Sequence, residues 1–298
     1  MIPEAAMINI DQIILGDNQF FGVNHSSQDR GRQTYEQFKD ISEIKKIIYT
    51  AMDYGVKGIF FSTHPSVYQI MDVIRADSVL KKELSFYVNV PYIIKYVQMF
   101  NEMGMIRTVK TVLSGKSPIE NSLYMLNTGF DVLTNNYLGV ANRIIDVELN
   151  PFHDLRVKAI FLHNSLVDLA IGYKLTKVLK NFYDYVAKKY HVIPAFGTIN
   201  YPLLCGELNK ANIDEALVMT SVNKKGFIMN PNRIEVEKAI EDNKHTILAM
   251  GTLASGSIRP QEAYEYLFSI KKIKHVVVGL SSKKHADETF GILRKYLS

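Results

Sequence analysis

The chain has 298 residues, 47% of them hydrophobic, and a net charge of +5 carried mainly by scattered lysines. This is enough apolar material for one large core, and it lacks the basic stripe interleaved with aromatics that a nucleic-acid partner calls for. A single cysteine, Cys205, excludes an internal disulfide framework; no apolar run reaches the roughly 18 residues of a membrane span and no leader-like segment opens the chain, so a cytoplasmic location is expected.

In chain order, short apolar runs recur and most are followed by helical spacing. The runs are QIILGDN (12–18), KGIFFSTH (57–64), LSFYVNV (84–90), VKAIFLHN (157–164), VIPAFGTIN (192–200), EALVMTSVN (215–223), HTILAMGTL (245–253) and HVVVGLSS (275–282). Near-continuous apolar character marks strands buried on both faces, and alternation with helices implies parallel pairing. Apolar residues at 3.6-residue spacing predict helices over Glu36–Tyr54, Ser66–Arg75, Ile93–Gly104, Val167–Tyr190, Ile234–Asp242, Pro260–Ile270 and Lys283–Tyr296. Eight such units predict a single (β/α)8 TIM barrel spanning residues 1–298. The stretch 105–156 is too long for one crossover and is expected as an insertion between strands 3 and 4, lying across or beside the barrel mouth. Within it FDVLTNN is a ninth strand candidate.

Parallel barrels assemble their sites from loops at the C-terminal ends of the strands, and polar side chains buried there need partners. Those ends carry Asp17, Asn18 and His25; Ser62, Thr63 and His64; Asn89; His163 and Asn164; Thr198 and Asn200; Ser221 and Asn223; and Thr252. His163 closes an apolar strand where other polar ends converge, which makes it the leading catalytic candidate. Asp17 shares one short loop with amides and an imidazole, and Asn18, His25 and His64 are expected to contact substrate. Three histidines and an acid also suit a divalent metal, although no local spacing such as H-x-H supports it. In the last unit, Gly279, Ser281 and Ser282 lead into a helix whose free N–H groups stand beside Lys283 and Lys284, an arrangement that binds phosphate.

Several stretches together resemble the aldo/keto reductase superfamily over most of the chain, with 105–156 unmatched. IFLHN is similar to the family's fourth strand, which ends in the catalytic histidine; AFGTIN resembles the fifth, LAMGTLASG the seventh, and VVVGLSSKKHADETFGIL the eighth strand with its cofactor-phosphate loop. The resemblance implies a β/α barrel, bound NADP, and an Asp, Tyr, Lys, His tetrad in which His163 takes the histidine position. Ser62 or Thr63 stands where the aspartate belongs, Tyr68 matches the tyrosine only if Thr63 aligns with that aspartate, and Asn89 replaces the lysine. Asn89, being neutral, cannot lower a tyrosine pKa as that lysine does. The cofactor contacts implied are Asn164, Thr198, Asn200, Asn223, Gly251, Gly279, Ser281, Ser282, Lys283 and Lys284. Ile199 replaces the family's serine before Asn200, and Met250 stands where many members stack a tyrosine on the nicotinamide.

Three functions follow from these residues. One is a divergent NADP-dependent reductase of a small carbonyl compound. The second is a non-redox barrel lyase, isomerase or hydrolase acting on a small anionic or phosphorylated substrate, with Asp17 and the histidines as catalytic acid/base groups or as ligands of a divalent metal. The third is a binding or structural protein that kept the barrel and lost catalysis. In the two enzyme readings the expected partner is a small-molecule substrate, with no nucleic acid and no membrane, and the oligomeric state is left open.

Overall fold

All eight apolar runs form strands: β1 (Ile13–Gly16), β2 (Gly58–Ser62), β3 (Ser85–Val90), β4 (Val157–Leu162), β5 (Ile193–Thr198), β6 (Leu217–Ser221), β7 (Thr246–Met250) and β8 (His275–Gly279). In this computed structural model, which describes residues 8–23, 27–104, 107 and 137–296, they pair in parallel and in sequence order, and β8 returns to β1 to close the barrel. Ile14, Phe60, Tyr87, Phe161, Leu217 and Leu248 pack in one buried cluster, the barrel interior. Their neighbours Leu15, Phe61, Val88, Leu162, Val218 and Ala249 belong to the larger cluster between barrel and helices. The period of two along each strand therefore explains why both faces read as apolar.

The same alternation fixes the mouth. Steps of two along each strand, through Ala195 on β5, Met219 on β6 and Val277 on β8, reach Gly16, Ser62, Asn89, His163, Gly197, Ser221, Met250 and Gly279, which face inward at the C-terminal end. His163 lies just past β4, and its N–H still donates to the carbonyl of Val90 at 2.8 Å, so the register carries through it. At the opposite end a polar plug closes the barrel: the Asp11 carboxylate accepts from the Tyr87 hydroxyl at 2.5 Å and from Lys158 Nζ at 2.8 Å.

The helices depart from the predicted spans in identifiable places. The segment expected as one helix over 36–54 is two, α1 (Gln28–Phe38) and α2 (Ile41–Asp53), because Asp40 caps the second by accepting from the Ser42 N–H at 2.9 Å. Then come α3 (Val67–Ala76), a short α4 (Ser78–Glu83), α5 (Ile93–Met103) and α6 (Tyr137–Leu149), followed by a 3-10 turn at Asn150–Phe152. The helix expected over 167–190 is split into α7 (Asn164–Gly172) and α8 (Thr176–Tyr190) around Lys174, whose φ is +55°. An unpredicted α9 (Tyr201–Lys210) carries proline in its first turn and is capped by Asn200. Last come α10 (Arg233–Asp242), α11 (Pro260–Ser269) and α12 (Lys283–Leu293).

The described part of the insertion is α6 and the turn after it. Helix α6 packs against β3 and α8, the place of a crossover helix on the outer face of the barrel. FDVLTNN, at 130–136, lies outside the described residues. Among the described residues no helix is long and apolar enough to cross a membrane.

Candidate active site

Loop 17–23 lies over the mouth, and its first residue is its chemical centre. Asp17 is 3% exposed and accepts the Ser62 N–H at 2.6 Å. Burial pushes its carboxyl up to about 6, against the lowering effect of the hydrogen bonds from Ser62. Asn18 faces solvent. Gln19 crosses to β8, where a Cβ on Gly279 would fall 1.9 Å from its Nε2, so only glycine lets it pass. Its Oε1 is buried and accepts from no described residue. His25 lies outside the described residues.

His64 and His163 are held in the same way. Each follows its strand and each Nδ1 accepts the N–H two residues on, from Ser66 and Ser165, both at 3.1 Å. An Nδ1 that accepts leaves the proton on Nε2, so both neutral rings present an N–H donor. Burial lowers both pKa values and favours that neutral form. The His64 ring stacks on Phe21, centroids 4.3 Å apart, and meets the edge of Tyr92 at 5.0 Å. Asn89, on β3 between the two histidine-bearing strands, is 5% exposed, and its Oδ1 has no described partner.

Thr63 and Tyr68 stand in a different group. Thr63 faces away from the barrel interior and donates its hydroxyl to Glu148 of α6, which also accepts from the Tyr92 N–H at 3.0 Å, the Tyr96 hydroxyl at 2.5 Å and Lys95 Nζ. Glu148 is 2% exposed. The Tyr68 phenol is pushed up by burial and by the Glu148 charge. By contrast the Tyr92 phenol is pushed up by burial and by the charge of Asp17.

The remaining predicted residues divide into those committed to the scaffold and those left free. Thr198 donates to Asp168 of α7 at 2.5 Å and accepts the Asn200 N–H at 2.9 Å, while Asp168 also takes the Ile199 N–H at 3.2 Å. Asn200 Oδ1 caps α9 through the Leu203 N–H at 3.3 Å. Asn223 is fully buried and spends both ends of its carboxamide on Phe227, each at 2.8 Å, so its side chain ties its own loop. Asn164 lies against β5, its backbone nitrogen 3.2 Å from where a Gly197 Cβ would stand. Gly251 has φ +63°, and a Cβ there would meet Ser221 Oγ at 3.4 Å.

At the start of α12, Ser282 is the cap and accepts the His285 N–H at 3.3 Å, while Ser281 shares a 2.9 Å hydrogen bond with the His285 ring. Lys283 and Lys284 are exposed. Their backbone N–H groups and ammonium groups have no acceptor among the described residues. Two free amides, two cations and the positive end of an 11-residue helix therefore coincide. Among the described residues no three His, Cys, Asp or Glu side chains gather to hold a metal ion.

Tyr92, Glu148, Asp168 and Gln19 carry much of this geometry without having stood out in the sequence. Asp168 had a signal, an acid on the helix that follows His163, four positions after Asn164. Glu148 had none, because its partners are contributed by other loops.

No protein-family model matches the chain, and no curated protein sequence does. Solved structures do. A Pseudomonas aeruginosa protein assigned as an aldo-keto reductase superposes with a TM-score of 0.57 at 13% identity, covering 97% of this chain and 92% of that one. A protein assigned as a 2,5-diketo-D-gluconic acid reductase B gives a TM-score of 0.57 at 11% identity over 97% and 86% of the two chains. An aldo-keto reductase from a Medee basin deep-sea metagenome gives 0.53 at 10% identity over 95% and 86%. The chain thus has the fold of these aldo-keto reductases, at 10 to 13% identity.

Proposed function

We propose that the protein is a reductase of a small carbonyl compound that works with NADP(H), and that His163 holds the carbonyl oxygen. The observation that carries this reading is the fixed state of His163. Its Nδ1 is occupied by the Ser165 N–H, so a neutral Nε2–H remains at the mouth, and a preorganised neutral donor stabilises an oxygen that gathers negative charge. His64, held alike, offers a second donor on the far side of β3.

The residues also suit the cofactor. Lys283, Lys284 and the start of α12 fit its phosphates, Gly251 leaves room for close approach, and the carboxamide nitrogens of Asn164 and Asn200 have no described acceptor. When bound, the nicotinamide supplies the hydride. The chain's part is to hold the carbonyl oxygen, to provide a proton, and to keep water from the apolar barrel wall beneath.

One observation favours a second reading. Asp17 is a buried acid poised near 6, bonded to Ser62 of β2, whose register partner on β3 is neutral Asn89, where the resemblance expects a lysine. That pair suits a lyase or isomerase acting by proton transfer on an anionic substrate at the same mouth. A fluorescence titration with NADPH and NADH separates the two. Saturable binding of NADPH supports the reductase; no binding of either nucleotide favours the second reading.

A further inference from the structure

We infer that Gln19 guards the passage from the start of α12 to the barrel mouth, and that a ligand spanning the two must turn its carboxamide off Gly279, which makes Gln19 a specificity-determining residue. This rests on the reductase reading above. Gly279 ends β8 without a left-handed φ, so its backbone is one that any residue adopts and its missing side chain answers to space alone. A Cβ there would fall 1.9 Å from Gln19 Nε2 and 2.6 Å from both Cδ and Oε1, so the whole carboxamide lies on the backbone of the strand end. Gly279 is exposed and Val277, below it on the inner face, is only half buried, so the mouth stands open down β8. Just beyond, Lys283 and Lys284 begin α12. A ligand with its anionic end on α12 and its reacting end in the mouth therefore crosses Gly279, where Gln19 lies.

The backbone on both sides of this contact is fixed. Phe20 is buried with its ring edge-on to Phe38 at 5.2 Å, and the loop closes on itself through the Phe20 N–H to the Asp17 carbonyl and the Val23 N–H to the Asn18 carbonyl, both at 2.8 Å. Across from it, the Gln37 carboxamide donates to the Ser281 carbonyl at 3.0 Å and pins the turn between β8 and α12. What can move is the Gln19 side chain, by rotation about its own bonds. No hydrogen bond holds its carboxamide: Oε1 is buried and accepts from no described residue, and Nε2 donates to none. A buried acceptor without a donor is unfavourable, so turning outward restores a hydrogen bond to Oε1 in the same motion that clears Gly279. A compact anion that stops at α12 leaves Gln19 in place; an extended one displaces it.

The test titrates the whole chain with NADPH and, separately, with inorganic phosphate, in wild type, Gln19→Ala and Gln19→Met, each first checked for native thermal unfolding. Alanine clears the passage, whereas methionine keeps the bulk without the carboxamide. With the passage open in about a tenth of wild-type molecules, Gln19→Ala is expected to bind NADPH about tenfold tighter. Gln19→Met should match wild type, and phosphate should bind all three alike. In wild type, the side-chain amide signal of Gln19 in NMR, assigned by its absence from Gln19→Ala, should shift on adding NADPH and stay in place with phosphate. NADPH affinity that is unchanged or weaker in Gln19→Ala overturns the guard while the reductase reading stands, and the weaker case marks Gln19 as a holding contact instead. A methionine variant as tight as alanine, or a Gln19 signal that phosphate moves as far as NADPH does, overturns it too. If neither wild type nor Gln19→Ala binds NADPH, the reductase reading fails and the guard falls with it.

Discussion

The carboxylate of Asp17 receives the backbone N–H of Ser62 at 2.6 Å, which ties the end of β1 to the end of β2 beneath the loop that covers the mouth. The bond is made to a carboxyl that is nearly sealed from water, so the acid is stabilised by one donor and destabilised by burial, and burial wins. Its folded pKa lies above its ordinary 3.8, so between about 4 and 6 the folded protein binds more protons than the unfolded chain. Stability therefore falls as pH rises through that window and stays at the lower level above it. Asp17→Asn keeps an acceptor for Ser62 and removes the charge. At pH 7 it should stabilise the protein by on the order of 3 kcal/mol, measured by urea unfolding, and a destabilised variant would refute the buried-charge account.

The two locked histidines predict the opposite slope. Their folded pKa values lie below the ordinary 6.5 because burial disfavours the cation, and a proton on Nδ1 would also face the N–H of Ser66 or Ser165. The unfolded chain thus binds more protons near pH 6, and stability is lost as pH falls from about 6.5. In wild type the Asp17 effect masks part of this loss. In Asp17→Asn the midpoint of thermal unfolding should drop steadily from pH 7 to pH 5.5; a flat profile would show that the rings are not held neutral.

His163 does two jobs that substitution can separate. Asparagine at 163 retains an oxygen to cap α7 but has no imidazole N–H, so stability should stay near wild type while kcat falls by about 10²- to 10³-fold, the scale of a lost oxyanion donor. Alanine should in addition cost about 1 kcal/mol for the missing cap. Equal turnover in wild type and His163→Asn would remove His163 from the chemistry.

Lys283 and Lys284 act on ligand and not on folding. Changing both to glutamate should weaken NADPH by about 1 to 3 kcal/mol, a few charge-assisted hydrogen bonds, and the wild-type affinity should fall with added salt. Thermal stability should barely change, since exposed charges contribute little. Calorimetric titration of both proteins checks this, and identical affinities would remove the site.

Glu148 is the reverse case. Replacing it with alanine leaves the buried Tyr96 and Thr63 hydroxyls without their acceptor, while Lys95, 30% exposed, keeps access to water, at a cost of about 1 to 3 kcal/mol for each hydroxyl. Equilibrium unfolding in urea reads that loss directly, and a change under 1 kcal/mol would contradict the network.

The barrel was legible because each strand declares itself locally: a run such as VKAIFL is apolar on both faces, and His163 marks where it stops. The site was legible only where one residue ends one strand, as with Asp17, Asn89 and His163. What the sequence hid were relations between loops. Tyr92 reads as one more aromatic in an apolar stretch until the fold sets it beside His64, and Tyr68 matches the family's tyrosine spacing while burial and the Glu148 charge push its phenol up. Asn223 and Thr198 looked available because their partners, Phe227 and Asp168, declare nothing at a distance. Helix breaks at Asp40 and Lys174 were missed because apolar spacing continues across them while the backbone does not.

The most direct test of the central claim is to follow the reduced nicotinamide of NADPH while the wild-type protein is offered a panel of small aldehydes and ketones. The account predicts consumption of NADPH that depends on the carbonyl compound, matches the alcohol formed one to one, and is abolished to within a few per cent in His163→Asn. No consumption with any carbonyl, together with no saturable binding of NADPH, would contradict it.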